Sequence, residues 1–377
     1  MNRMKRIFCT VLALALLLSA FTATAVQNEA DEKFVSTAAH LKELPLHTGS
    51  VGGEWLVLGL ARAELLDPDA ACEYTQIAVD YVKSIGSERL HQRKSTDNSR
   101  LILALSSLGA DPRNVAGYDL TAPLNDFRYV SKQGISGVIW ALIALDCCAY
   151  PAQNGVRQQL LDAVLAAQHS DGGWGLDEAV SDPDLTGMAL QAMSPYRAYD
   201  PEVRLAAENG VAFLAGIRQQ SGGYASYDGI NPESGAQVIV ALTALGIDPA
   251  TDERFVSGGR TIFDSLLRFS VEGGFSHTLG GEYNQMATEQ AFYALAAYRR
   301  FLAGKTALCD MTDVCDHTLV DADGDGRLTI NDATVLQRWL AEFDEKLDTP
   351  QKRFADLNHD GRVDIGDVTL CQRLLAS

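Results

Sequence analysis

A glycine-aromatic turn returns at a fixed interval through the second half of the chain, and that recurrence limits the possible folds more than any other feature. It stands as Gly172-Gly173-Trp174, Gly222-Gly223-Tyr224 and Gly273-Gly274-Phe275, about fifty residues apart. Each turn is preceded by an amphipathic stretch: Val156 to Ala167, Val203 to Arg218 and Thr261 to Phe269, with apolar residues at three- and four-residue spacing. Each turn leads through a polar loop into a helix rich in small residues, marked by Ala189-Leu190 with Met193, Ala241-Leu242 with Ala244-Leu245, and Ala294-Leu295 with Ala297-Tyr298. Copies without the turn are visible at Ala141-Leu142 with Ala144-Leu145, at Ala104-Leu105 with Leu108, and at Gly59-Leu60. A period of this length means a repeat architecture in which neighbouring units bury one another's apolar faces.

The first three pairs are expected over Asp31 to Leu44 with Val51 to Ala63, Ala71 to Ile85 with Asn98 to Leu108, and Leu124 to Val130 with Ser136 to Cys147. Six pairs whose inner members carry Ala and Gly read as an all-α (α/α)6 toroid over residues 26–303, because inner helices of a ring crowd one another. An open superhelix is the alternative. Ahead of the toroid, Arg3, Lys5 and Arg6, an apolar run from Val11 to Ala20 and the Ala23-Thr24-Ala25 end predict a signal peptide over residues 1–25 and a secreted protein. No later apolar stretch is long enough for a membrane span. A formal charge of -18 argues against nucleic acid or an anionic membrane as partner. Cys72, Cys147, Cys148, Cys309, Cys315 and Cys371 are sparse for a disulfide scaffold. Cys315 and Cys371 bracket the last domain as a possible clasp, but the burial habit of free cysteine favours unpaired side chains.

After a short connector at 304–318, two twelve-residue loops present oxygen at cation-ligand spacing. The first offers Asp321, Asp323, Asp325, the Arg327 carbonyl, Thr329 and Asp332, with Gly326 at the sharp turn. The second offers Asp356, Asn358, Asp360, the Arg362 carbonyl, Asp364 and Asp367, with Gly361 at the turn. From Asp316 onward there are thirteen acidic and seven basic residues, so two Ca²⁺ would largely neutralise the segment. Each loop opens a similar helix, Asp332-Ala-Thr-Val-Leu-Gln337-Arg338 and Asp367-Val-Thr-Leu-Cys-Gln372-Arg373, and neither is expected to be preceded by one. Loops followed but not preceded by a helix, ending in Asp, and present twice in tandem resemble a type I dockerin over 319–377. The resemblance implies calcium-dependent docking onto a cohesin module of a scaffold, as in cellulosome-type assemblies. Its partner-reading positions fall on Ile330, Asn331, Gln337 and Arg338 in the first copy and Ile365, Gly366, Gln372 and Arg373 in the second. Near-identity of the helices implies docking in two orientations, with Gly366 departing from Asn331.

The helical repeats resemble the toroid of terpenoid cyclases and protein prenyltransferase β subunits. Gln168 with Gly172 and Trp174, and Gln219 with Gly222 and Tyr224, are similar to the Gln-Gly-Trp turn of squalene-hopene type cyclases. The expected job is structural: the Gln amide ties an outer helix end to the neighbouring inner helix. Asp182-Pro-Asp184-Leu185-Thr186 is similar to the cyclase Asp-x-Asp-Asp-Thr stretch but has Leu185 in place of an acid, so Asp184 is read first as a helix cap. The prenyltransferase zinc ligands are missing. Asp146-Cys147-Cys148 has their Asp-x-Cys spacing at the wrong end of a helix, and His277 is a loop residue. Gln133, Asp184, Glu233, Gln237, Gln285 and Glu289 open the inner helices and should line one mouth of a cavity able to take a small molecule or glycan. Glu233 and Glu289 are the candidates for a glycosidase pair, should the module be a carbohydrate-active enzyme rather than a binding one.

Overall fold

The computed structural model describes residues 28–376 apart from 178, 227–228, 316–320, 324, 326 and 344–345. The expected signal peptide, Gly326 and the segment just before the first loop lie outside the described residues.

Burial separates two classes of helix. From Pro232 to Thr243 every residue of α10 (Pro232–Ala244) is buried, and α6 (Gly134–Asp146) is buried from Gly137 onward. Helices enclosed on all sides belong inside the fold. By contrast α3 (Pro68–Ile85) buries Tyr74, Ala78 and Val82, one residue per turn, and α9 (Pro201–Ile217) buries a stripe from Val203 to Leu214. The inner set is α2 (Trp55–Arg62), α4 (Ser95–Ser107), α6, α8 (Pro183–Met193), α10 and α12 (Gln285–Leu302). The outer set is α1 (28–41), α3, α5 (Phe127–Val130), α7 (Val156–Ala166), α9 and α11 (Ile262–Leu267). Each inner helix packs on the next, and α12 packs on α2, so the ring is closed and the open superhelix is excluded. Close approach is visible at Gly187, where a methyl group would stand 2.9 Å from the Gln237 carbonyl oxygen of the neighbouring helix.

The glycine-aromatic turns brace the starts of three inner helices, α8, α10 and α12. Their first glycines, Gly172, Gly222 and Gly273, have φ between 77° and 91°, which side-chain-bearing residues rarely adopt. The aromatic carbonyl then accepts the N–H of the residue capping the inner helix: Trp174 from Asp182, Tyr224 from Asn231 and Phe275 from Asn284. Those caps in turn accept the amides of Leu185, Ser234 and Ala287 at 2.8–2.9 Å. Asp182, not Asp184, is therefore the cap of α8. The glutamine brace also differs from expectation. Gln168 Nε2 donates to the Gly172 and Ala206 carbonyls, both at 2.8 Å, tying α7 to the next outer helix α9 rather than to an inner one. Gln219 makes only a local bond to Ile217. The helix expected from Val51 begins at Trp55, because Val51, Gly52 and Gly53 leave helical geometry in a strap over residues 50–54.

The connector crosses the carboxyl ends of the inner helices. Arg62 of α2 donates to the carbonyls of Leu308 (2.9 Å) and Asp310 (2.7 Å), and with Arg300 of α12 it pairs with Asp313. Leu308 and Met311 are buried in the toroid core. A disulfide joins Cys148 to Cys315 with Cα atoms 5.8 Å apart. The expectation of unpaired cysteines is corrected at these two positions; Cys371 is buried and free, not a clasp for Cys315. The C-terminal domain holds α13 (Ile330–Leu340), α14 (Thr349–Ala355) and α15 (Ile365–Ala376), with α13 packed on α15. The second loop is preceded by a helix after all: α14 starts in a capping box between Asp348 and Gln351.

Because Gln168 closes its own turn and also bonds across to α9, while Gln219 makes one local bond, Gln168→Ala should lower the unfolding free energy by about 1–2 kcal/mol. Gln219→Ala should stay within about 0.5 kcal/mol of the parent in the same urea titration.

Candidate functional sites

The six inner helices run parallel, so their amino ends share one mouth of the ring. Asp184 and Glu233 sit directly after Pro183 and Pro232 in the first turns of α8 and α10. Burial pushes the Asp184 carboxyl up to about 6, and the negative charges of Asp182 and Glu233 add to the effect while Ser234 opposes it. Glu233 is 7% exposed and its Oε1 lies 2.8 Å from Nδ1 of His277, which the fold brings from the loop before α12. On α12, Glu289 is 1% exposed and accepts the Gly52 amide at 2.7 Å and the Gln285 amide at 3.0 Å. Burial raises its carboxyl to about 7, with Glu54 adding to the shift. One oxygen of each of Asp184, Glu233 and Glu289 is buried without a hydrogen-bond partner. Asp184 and Glu233 thus form one cluster, and Glu289 belongs to another with the 50–54 strap. The two members proposed for a glycosidase pair have different partners.

A cavity of about 250 Å³ lies at this mouth, and all six inner helices contribute to its wall. The sixth residue of four of them lines it: Arg100, Met188, Gln237 and Gln290. Three aromatic rings join these, with Trp55 5.0 Å from Trp140 and 6.0 Å from Tyr293 between centroids. Gln237 Nε2 donates to the Tyr293 hydroxyl at 2.5 Å and accepts at Oε1 from Gln191 at 3.1 Å. Arg100 pairs with Asp97 at 2.9 Å and Glu54 at 3.5 Å, which offsets its charge. Of the other expected lining residues, Gln133 locks α4 through the Thr96 amide and hydroxyl, and Gln285 serves Glu289. Aligning the repeats on their caps would have found the sixth-residue positions. Nothing local announced His277 or the two tryptophans.

Asp146 and Cys147 are at the carboxyl end of α6, remote from the mouth. Asp146 pairs with Arg157 at 2.8 Å and with Arg353 at 3.0 Å, a structural role.

In the C-terminal domain, one carboxylate oxygen from each of Asp321, Asp323 and Asp325 lies within 4.8 Å of the others. Burial, followed by Asp332 and Asp325, pushes the Asp323 carboxyl up, as expected where like charges gather. The closing residue of each loop is fully buried and braces it identically. Asp332 accepts the amides of Ala322, Asp323 and Thr329, and Asp367 those of Leu357, Asn358 and Asp364. Both loops are thereby curled around their acidic residues, and the donor set, all hard oxygen, fits calcium. Arg327 and Arg362 are exposed, leaving their carbonyls as the contributions expected of them.

A carboxyl whose folded pKa exceeds its unfolded value, about 4.3 for Glu, makes the native state bind more protons. Its contribution favours folding at low pH and declines as pH rises towards 7. The unfolding free energy of wild type relative to Glu289→Gln should therefore fall by on the order of 2 kcal/mol between pH 4.5 and pH 8, measured by denaturant titration at each pH.

No curated protein matches the chain. Among solved structures it is similar to an unsaturated glucuronyl hydrolase with the oligosaccharide dGlcA-Glc-Rha-Glc, at 10% identity and a TM-score of 0.46, covering 75% of this chain and 98% of that one. Among the described residues no helix is long and apolar enough to cross a membrane. Residues 319–376 match the dockerin type I domain. The acidic loops, their duplicated helices and this match establish that the chain ends in a type I dockerin, joined to an (α/α)6 toroid.

Proposed function

We propose that this protein is an exported component of an extracellular cellulosome-type complex: its dockerin engages a cohesin module of a scaffold, and the toroid is carried there as a ligand-binding module. The observation that supports docking most directly is a duplicated exposed face. Ile330, Asn331, Thr334, Gln337 and Arg338 of α13 face solvent, and so do Ile365, Thr369, Gln372 and Arg373 of α15, with Gly366 half-buried. Spacings of four, seven and eight residues place each set on one side of its helix. Ile330 is 64% and Ile365 66% exposed, so an apolar side chain stands out at the same place in both copies, as suits a surface that another protein covers. Calcium held at Asp321, Asp323, Asp325, Arg327, Thr329 and Asp332, and at Asp356, Asn358, Asp360, Arg362, Asp364 and Asp367, would offset the excess negative charge of these loops. The loops in turn fix where α13 and α15 begin.

For the toroid, the wall of the cavity favours a saccharide over the isoprenoid substrates of proteins with related repeats. A prenyl chain calls for apolar walls. Here Gln237, Gln290, Ser136, Thr96 and Arg100 alternate with Trp55, Trp140 and Tyr293. Aromatic faces cover the C–H side of a sugar ring while amides and hydroxyls meet its rim. Hydrolysis is the second reading: Asp184 is held protonated more readily than an ordinary carboxyl, and Glu233 beside it is oriented by His277.

Binding of a cohesin panel, followed by calorimetry, tests the first reading. Removing calcium with a chelator should abolish it. Replacing Ile330, Gln337 and Arg338 by Ala should leave tight binding through the other face. Replacing Ile365, Gln372 and Arg373 as well should weaken it at least a hundredfold. For the cavity, Trp140→Ala should weaken binding of neutral oligosaccharides at least tenfold. Reducing-sugar release that disappears in Asp184→Asn and Glu233→Gln would decide for hydrolysis.

A further inference from the structure

The toroid reaches into the second acidic loop. Tyr199, in the turn between α8 and α9, donates its hydroxyl to Oδ2 of Asp356 at 2.7 Å. Asp356 opens that loop and is 1% exposed. The same Oδ2 accepts the Gly361 amide at 2.7 Å, and Oδ1 accepts the Asp360 amide at 3.2 Å. The carboxylate is therefore held from two sides, once by its own loop and once by the other domain.

The helix that leads into the loop is fastened to the toroid at both ends. At its start the Thr349 hydroxyl donates to Asp200 at 2.6 Å and the Thr349 amide to Gln158 at 3.1 Å. Near its end Arg353 pairs with Asp146 and lies over the Tyr196 ring at 5.2 Å, and Phe354 stacks under Arg157 at 4.7 Å. From α14 the Gln351 amide crosses to the first loop at the Ala322 carbonyl. The carboxyl end of α14 thus delivers Asp356 to a fixed point on the toroid surface.

We infer that the toroid is part of the second cation site: Tyr199 positions the Asp356 carboxylate as a ligand, and calcium taken up there locks the dockerin against the toroid. A hydrogen bond to a ligating carboxylate orients it; here Tyr199 and Gly361 both hold Oδ2, which leaves Oδ1, held only by the Asp360 amide, as the oxygen with room for the ion. Removing such a partner typically costs ten- to a hundredfold in metal affinity. The effect is reciprocal, since a contact that favours calcium must itself be favoured by calcium to the same extent. The coupling lies within one molecule and needs no cohesin, so it goes beyond the docking reading.

Calorimetric titration of the full chain with calcium tests it, with Tyr199→Phe as the variant because only the hydroxyl is lost. Wild type should show two sites. In the variant one site should keep its affinity and the other should weaken at least tenfold, the unchanged site reporting an intact dockerin. Hydrogen exchange over residues 349–355 supplies a second readout: calcium should slow it in wild type and do so much less in the variant. Two sites of unchanged affinity in Tyr199→Phe would overturn the inference and leave the calcium loops standing. Wild type that takes up no calcium would overturn both.

Discussion

Closure of the ring, where α12 meets α2, is the constraint on which the rest of this molecule depends. It forces six inner helices to run parallel and gathers their amino ends at one mouth. Each end carries partial positive charge and unpaired amides, so acidic and amide side chains are favoured there. Asp182, Asn231 and Asn284 answer the amides directly, while Asp184 and Glu233 sit in the first turns. The same closure removes water. Burial pushes the Asp184 and Glu289 carboxyls at this mouth towards protonation.

Much of this was legible from the chain alone. The fifty-residue period predicted six pairs because each pair must bury a face on the next, and ligand spacing in the two loops predicted their chemistry because an acidic cluster repels itself without a cation. What escaped was of two kinds. Some features carry a local signal. The run Asp348-Thr349-Pro350-Gln351 is a helix start, and Asp182 precedes Pro183 as a cap should. Others are products of closure and had no local signal. Cys148 and Cys315 are separated by 167 residues. His277 meets Glu233 of the adjacent repeat, and Trp55 meets Trp140 across the bore. The Gln168 brace was assigned to an inner helix when its second acceptor lies on α9, because sequence gives the donor but not the direction in which its amide points.

The boundary between the domains shows how a residue with no obvious role acquires one. Asp146 ends an inner helix, where a negative charge opposes the helix dipole. It is tolerated because Arg157 and Arg353 both pair with it and Tyr196 donates its hydroxyl. Such a buried group need not add stability over an apolar replacement, but losing Asp146 would leave Arg157 and Arg353 buried without their carboxylate. Its effect is orientation: Arg353, with Thr349 and Tyr199, fastens α14 and the second loop to the toroid and leaves Ile330 and Ile365 exposed.

The connector also determines the shape of the bore. By crossing the carboxyl ends of the inner helices, with Leu308 and Met311 sunk into the core and the Cys148–Cys315 bond holding it down, it stops the ring at that end. The bore is a blind vessel, not a tunnel. Whatever enters the cavity at the mouth must leave by the way it came.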